Sequence, residues 1–211
     1  MALKILALGN YGKSAPYHPF DEVQNKLRAI FSDAERFYAT DDPQSLLDVS
    51  RYDAVLSYLD IWGRVLPENA ARALADYLKN GGALLALHNG ISLQGDKELL
   101  SLIGGRFVSH PAQEALTFCP VPGDHPITRG IEPFTLVEEP YRFEFTGDEI
   151  ELLLTYDYHG QTYPAGWCRR AGAGRVVCLC PGHTPEKFDD PMHQRLLRQA
   201  LDWCVSKERT D

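Results

Sequence analysis

Along the first ninety residues, short apolar runs alternate with amphipathic stretches. Leu3 to Leu8 (LKILAL) reads as a buried strand that stops at Gly9-Asn10. Between Asp21 and Phe31, the apolar residues Val23, Leu27, Ile30 and Phe31 recur at helical spacing. Asp21 and Glu22 suit the first turn of that helix, where the peptide dipole favours negative charge. Glu35 to Tyr38 predicts a second strand, Pro43 to Val49 a short helix, and Asp53 to Leu59 (DAVLSYL) a third strand. Pro67 to Lys79 is the clearest helix, with Pro67 fitting its first turn and Gly81-Gly82 stopping it. Ala83 to Leu87 (ALLAL) is a fourth strand, and it runs directly into His88.

Strands that are apolar throughout, alternating with helices, predict a mainly parallel, flavodoxin-like sheet covered by helices on both faces. Right-handed crossovers then place every strand-to-helix loop on one edge, where open α/β sheets bind their ligands. Three segments fall there: Asn10 to Pro19, Asp60 to Arg64, and His88 to Gln94. The second half is less regular. Lys97 to Ile103 reads as a short helix, followed by strand-like pieces at Ala115–Val121, Phe134–Val137, Tyr141–Phe145 and Leu152–Tyr156. Val176 to Cys180 reads as a last core strand and Met192 to Val205 as a closing amphipathic helix, with Trp203 on its core face. With no repeat, linker or low-complexity tract, residues 1–211 read as a single α/β domain.

Composition narrows the function. The 211 residues are 44% hydrophobic, ample for a packed core, and carry a formal charge of -8. An acidic chain without a Lys/Arg run lacks the cationic surface that displaces counterions, so nucleic acid is not an expected partner. No apolar stretch is long enough to span a bilayer, and the N-terminal apolar run is too short for a secretory leader. A cytoplasmic protein is expected. The five cysteines form no C-x-x-C pair, and Cys178 and Cys180 lie in a buried-strand pattern that would put both on one face. All five read as small core residues. The aromatic-rich second half (Phe134, Tyr141, Phe143, Phe145, Tyr156, Tyr158) could expose apolar surface, which raises the prospect of a homodimer, or could form a satellite core.

The chemistry centres on histidine. His88 occupies the tight turn after a buried strand, the position that carries Ser or Cys in enzymes with a nucleophile elbow. Neither G-x-S-x-G nor G-x-C-x-G occurs, so this elbow offers no hydroxyl or thiol nucleophile. His183 follows the last core strand through Pro181-Gly182, again at a carboxyl end. His110, His125 and the pair Glu138-Glu139 lie in other loops. His159 reads as a hairpin turn and His193 as a helix-surface residue. Imidazoles near their own pKa suit proton transfer at a hydroxyl or beside a carbonyl. His88, His110 and His183 with Glu139 could instead hold a divalent metal. The sequence favours the metal-free version: Glu139 shares no helix with a His, and no outer carboxylate is evident for each imidazole. Tyr58, Trp62, Tyr141 and Trp167 could present faces to a sugar ring, with Trp62 at the end of the third strand. Gly9-Asn-Tyr-Gly12-Lys13-Ser14 lacks the glycine spacing of a phosphate loop, and Gly172-Ala-Gly174 precedes a strand, so neither supports a nucleotide.

Several segments occur together in consistent order from about residue 50 to 205. They are Tyr77-Leu-Lys-Asn-Gly81-Gly-Ala-Leu-Leu-Ala-Leu87-His88, Gly104-Gly-Arg-Phe107 with His110, and His125-Pro-Ile-Thr-Arg-Gly130. Glu138-Glu139 with Tyr141, Pro164-Ala-Gly-Trp167, Gly172-Ala-Gly-Arg175-Val176, Gly182-His183 and the closing Leu196-Leu197…Asp202-Trp203 complete the set. Together they resemble the ThuA-like (trehalose utilisation) family, whose fold is similar to class I glutamine amidotransferases. The resemblance implies that sheet without amidotransferase chemistry, a role in sugar or keto-sugar catabolism, and His18 as the counterpart of a family His near the first strand. The chain departs from the family's frequent Asp-Glu before the Tyr, showing Glu138-Glu139-Pro140. The expected function is thus a sugar-active enzyme using His88, His183 and Glu139, with His110, His18, Trp62, Tyr141 and Asn89 around a small-molecule carbohydrate. The alternative is a non-catalytic metabolite-binding or assembly subunit. Convergence of the imidazoles on one site would favour the enzyme.

Overall fold

The computed structural model describes residues 3–147 and 149–206. Eleven strands occur among them: β1 (Lys4–Gly9), β2 (Arg36–Thr40), β3 (Ala54–Tyr58), β4 (Ala83–Leu87), β5 (Gly105–Ser109), β6 (Glu114–Pro120), β7 (Phe134–Glu138), β8 (Arg142–Phe145), β9 (Glu151–Tyr158), β10 (Gln161–Ala171) and β11 (Gly174–Leu179). The α-helices are α1 (Phe20–Ile30), α2 (Glu68–Lys79), α3 (Lys97–Ile103) and α4 (Pro191–Val205). The stretch expected as a short helix after β2 is a 3-10 helix, Pro43–Arg51, entered through Asp42, whose carboxylate accepts the Gln44 N–H.

Nine strands form one sheet in the order β2-β1-β3-β4-β11-β10-β9-β6-β7, while β5 and β8 pair separately. The five strands from β2 to β11 are parallel and follow the flavodoxin-like order. From β11 onward the pairing is antiparallel, so the complete sheet is mixed. Alternate residues of the parallel strands enter two cores. Ile5, Ala7, Leu56, Leu85 and Val177 pack with α1 and α4 on one face. Leu6, Leu8, Val55, Leu84 and Val176 pack with α2 and α3 on the other. No described helix is long and apolar enough to cross a membrane.

Two strands escaped the sequence pattern. β5 is a short piece after Gly104, and β10 carries Pro164 and Gly166 where its pairing with β9 shifts register. Cys178 and Cys180 lie in opposite cores instead of on one face, because β11 ends between them at Leu179. Four cysteines are buried and Cys119 is half-buried. Trp203 is half-buried, its ring covered by the Arg175 guanidinium at 4.9 Å. His193, expected at the surface, is fully buried in α4, between Phe134 and Phe188. Of the second-half aromatics, Phe134, Tyr141 and Tyr156 are buried, Phe143 and Tyr158 half-buried, and Phe145 alone exposed, so they form core.

Candidate active site

Four loops at the carboxyl edge of the parallel strands build one cluster. His18 arrives on the segment between β1 and α1, where Asn10 links two loops: its side-chain oxygen accepts the Asp60 N–H at 2.7 Å and its carbonyl accepts the Phe20 N–H. His88 directly follows β4 with φ of 48°, left-handed backbone that a non-glycine residue adopts only when its surroundings enforce it. The chain beneath supplies that constraint. Gly90 passes so close to β3 that a Cβ would lie 1.9 Å from the Ser57 carbonyl oxygen, and Ser57 Oγ donates to the Gly90 carbonyl at 3.0 Å. Asn89 is fully enclosed, its amide donating to the Tyr58 carbonyl at 2.8 Å, so it anchors the turn instead of facing the opening.

His183 follows β11. Its loop is held from both sides: Tyr58 Oη donates to the Gly182 and His183 carbonyls at 2.8 and 2.9 Å, and Glu138 Oε1 accepts the N–H groups of the same residues at 2.7 and 3.1 Å. Glu139 sits just past β7. Glu138 is fully buried and braces the His183 loop, whereas Glu139 turns toward the imidazoles.

The resulting contacts are short. His88 Nε2 lies 3.3 Å from Glu139 Oε2 and 3.2 Å from His183 Nδ1, and His183 Nδ1 lies 3.3 Å from the same oxygen. His18 Nε2 is 3.8 Å from it. One ligand atom from each of His18, His88, Glu139 and His183 falls within 4.8 Å of every other. The outward nitrogens are committed: His88 Nδ1 donates to the Cys180 carbonyl at 2.7 Å, and His18 Nδ1 donates to Asp60 at 3.0 Å. Asp60 is the partner that sequence reasoning missed, although its place at the end of β3, in a loop already marked for ligand binding, was a usable signal.

Charge in the cluster follows its surroundings. Burial lowers the His88 pKa to about 4, helped by the neighbouring His18 and His183 and opposed by Glu139. Burial also works against charge on His18, but Asp60 and Glu139 outweigh it and raise its pKa. Burial pushes Glu138 up to about 7 despite its two backbone N–H partners. For Glu139 the imidazoles of His18, His183 and His88 overcome burial and hold the carboxyl well below the ordinary range.

The remaining expected residues form a wall. Tyr141 lies against His88 with ring centres 4.4 Å apart and continues to Phe107, which in turn meets Trp62 at 4.8 Å. Phe107 was not anticipated as the link. His110 is exposed, 5.5 Å from the Tyr141 ring, with Nδ1 bonded to the Pro111 carbonyl and 3.8 Å from Glu139 Oε1. It stands at the rim, and His18 takes the place in the cluster expected of His110. Tyr58 and Trp167 are core, the Trp167 indole N–H donating to the Ile103 carbonyl. His159 occupies the β9–β10 turn with φ of 49°.

A family model described as trehalose utilisation (ThuA) matches residues 17–204, and the chain belongs to that family. The crystal structure of a ThuA-like protein from Parabacteroides merdae superposes with a TM-score of 0.79 at 20% identity, covering 100% of this chain and 92% of that one. A ThuA-like protein from Bacteroides uniformis gives 0.76 at 19%, covering 99% and 94%. A β-galactosidase from Rahnella sp. R3 gives 0.68 at 15%, covering 95% of this chain and 32% of that one. At these identities the likeness concerns the fold. No curated protein sequence matches the chain.

Proposed function

We propose that this protein is an enzyme of carbohydrate metabolism whose His18–His88–Glu139–His183 cluster acts on a hydroxyl or carbonyl oxygen of a sugar or keto-sugar. The observation that carries the proposal is the convergence itself. Three imidazoles and a carboxylate from four separate loops meet at the carboxyl edge of the sheet. An assembly subunit has no need to bring four buried titratable groups together, since each costs desolvation. The family's trehalose description supports a sugar. So does the aromatic path Tyr141–Phe107–Trp62, which offers apolar faces beside polar groups, as sugar rings require. His110 at the rim is the imidazole open to solvent and is placed to exchange a proton with the substrate. The elbow His88 leaves no thiol nucleophile there, so the reaction is not glutamine hydrolysis.

The test is a panel of mono- and disaccharides and their keto derivatives, screened by thermal shift and then by product analysis. A ligand at a hundred times its Kd should add about 2.7 kcal/mol of stability. The expected result is a sugar-dependent shift with turnover, both reduced in His110→Ala, an exposed substitution compatible with folding. Absence of any shift and any product across the panel would favour the non-catalytic alternative.

A further inference from the structure

We infer that His18, His88, His183 and Glu139 form a binding site for one divalent first-row transition metal ion. The site stands on geometry alone; its role, polarising a sugar oxygen, rests on the functional reading above.

Three observations carry the inference. The first is spacing. An ion with bonds of ~2.0–2.1 Å to four tetrahedral ligands separates those ligands by ~3.3–3.4 Å. His88 Nε2, His183 Nδ1 and Glu139 Oε2 form a triangle with sides of 3.2, 3.3 and 3.3 Å. His18 Nε2, 3.8 Å from Glu139 Oε2, supplies the fourth corner. The second is proton placement. A carbonyl can only accept, so the bond to Cys180 fixes the proton of neutral His88 on Nδ1, and the carboxylate of Asp60 does the same for His18. In the neutral rings both Nε2 lone pairs thereby face the Glu139 carboxylate, an arrangement in which acceptor meets acceptor. A cation at the centre turns that repulsion into coordination. The third is the buried Nε2 of His18, which has no hydrogen-bond partner in a residue only 6% exposed.

These outward bonds also supply the supporting partners that the sequence did not reveal. Ligating imidazoles are usually oriented by a carboxylate or carbonyl on their other nitrogen, and here Asp60 and the Cys180 carbonyl stand in those places. Imidazole and carboxylate ligands suit zinc and its first-row neighbours better than calcium or magnesium. With four protein ligands, a substrate oxygen would enter as a fifth, an expansion zinc accommodates. A second group, His125, Glu151 and Cys168, is built differently. His125 Nδ1 accepts the Ile127 N–H at 3.1 Å, which places the neutral ring's proton on Nε2, 3.7 Å from Cys168 Sγ. That nitrogen has no lone pair to offer.

The experiment measures metal content in protein purified without a His tag, stripped with chelator and re-equilibrated with zinc. The expected result is one ion per chain, retained in Cys168→Ser and lost in His88→Ala, Glu139→Gln and His183→Ala. Asp60→Asn, a positioning substitution, should weaken zinc affinity 10–100-fold while leaving the stoichiometry unchanged. Cobalt(II) in place of zinc should give visible absorption that disappears in Glu139→Gln. If His88→Ala does not fold, the two loop variants carry the test, with folding checked by melting. No uptake at micromolar zinc, or uptake unchanged in folded Glu139→Gln and His183→Ala, would overturn the inference. A sugar-dependent shift in protein that takes up no zinc would remove the ion and keep the functional reading. Zinc bound without any response to sugars would do the reverse.

Discussion

His88 donates its Nδ1–H to the carbonyl of Cys180 at 2.7 Å, so one ring ties together the ends of the neighbouring strands β4 and β11. That bond decides which nitrogen faces the cluster. It also requires His88 to hold its left-handed backbone, which depends on the turn beneath it.

Gly90→Ala should therefore be among the most damaging small substitutions in the protein. The new methyl would meet the Ser57 backbone oxygen at 1.9 Å, and a strand cannot yield as a flexible side chain could. A loss of about 1–3 kcal/mol or more is expected from overpacking at such a site. Urea titration would measure it, and a midpoint equal to wild type would show that the turn relaxes freely.

Tyr58→Phe should loosen the His183 loop while leaving all four cluster side chains in place. The hydroxyl donates to two buried carbonyls, and removing it leaves both without this partner. The expected cost is ~1–3 kcal/mol of stability. Sugar-dependent shifts should weaken along with it. Unchanged stability together with unchanged ligand response would mean that the loop is held by Glu138 alone.

His193 predicts a specific acid sensitivity. Burial lowers its pKa to about 4, although its Nδ1–H donates to the Lys187 carbonyl. The unfolded chain takes up this proton below about 6.5, the folded protein only near 4. Stability from this residue is therefore complete above about 6.5 and declines as pH falls toward 4, by roughly 3 kcal/mol at most. In His193→Phe the slope between those values should be shallower, by whatever this residue contributes. Chemical denaturation at a series of pH values reads the difference, and parallel profiles would refute it.

Glutamine should not be hydrolysed, and the thiols should be largely inert. Burial raises the thiols of Cys168, Cys178, Cys180 and Cys204, leaving half-buried Cys119 as the accessible one. A thiol reagent should label one cysteine rapidly in folded protein and all five after denaturation. Ammonia release from glutamine that such a reagent abolishes would contradict both expectations.

The parallel half of the sheet was legible because β1, β3 and β4 are apolar on both faces, a pattern with few alternative readings. β10 was not, since Pro164, Gly166, Arg169 and Arg170 hide a strand whose irregular pairing tolerates them. Within the site, His88 and His183 followed from the rule about carboxyl ends. His18 came only through family resemblance, because a His in a Pro-rich loop carries no periodic signal. Asp60 acquired a role only when tertiary packing placed His18 against it. His193 was misplaced because a polar residue on an amphipathic helix ordinarily marks the wet face, and here two aromatic rings enclose it.

The four residues of the cluster are scattered along the chain, about 70, 50 and 45 residues apart in turn, so an occupant touching all of them would close three long loops at once. Such an occupant would act as a removable cross-link between both halves of the chain. Partial openings that release only the β1–α1 segment or only the loop after β11 would then have to break it. Occupied protein would therefore lose its graded local motions before its global stability changed in kind, and hydrogen exchange around His18 and His183 would converge on a single, cooperative rate.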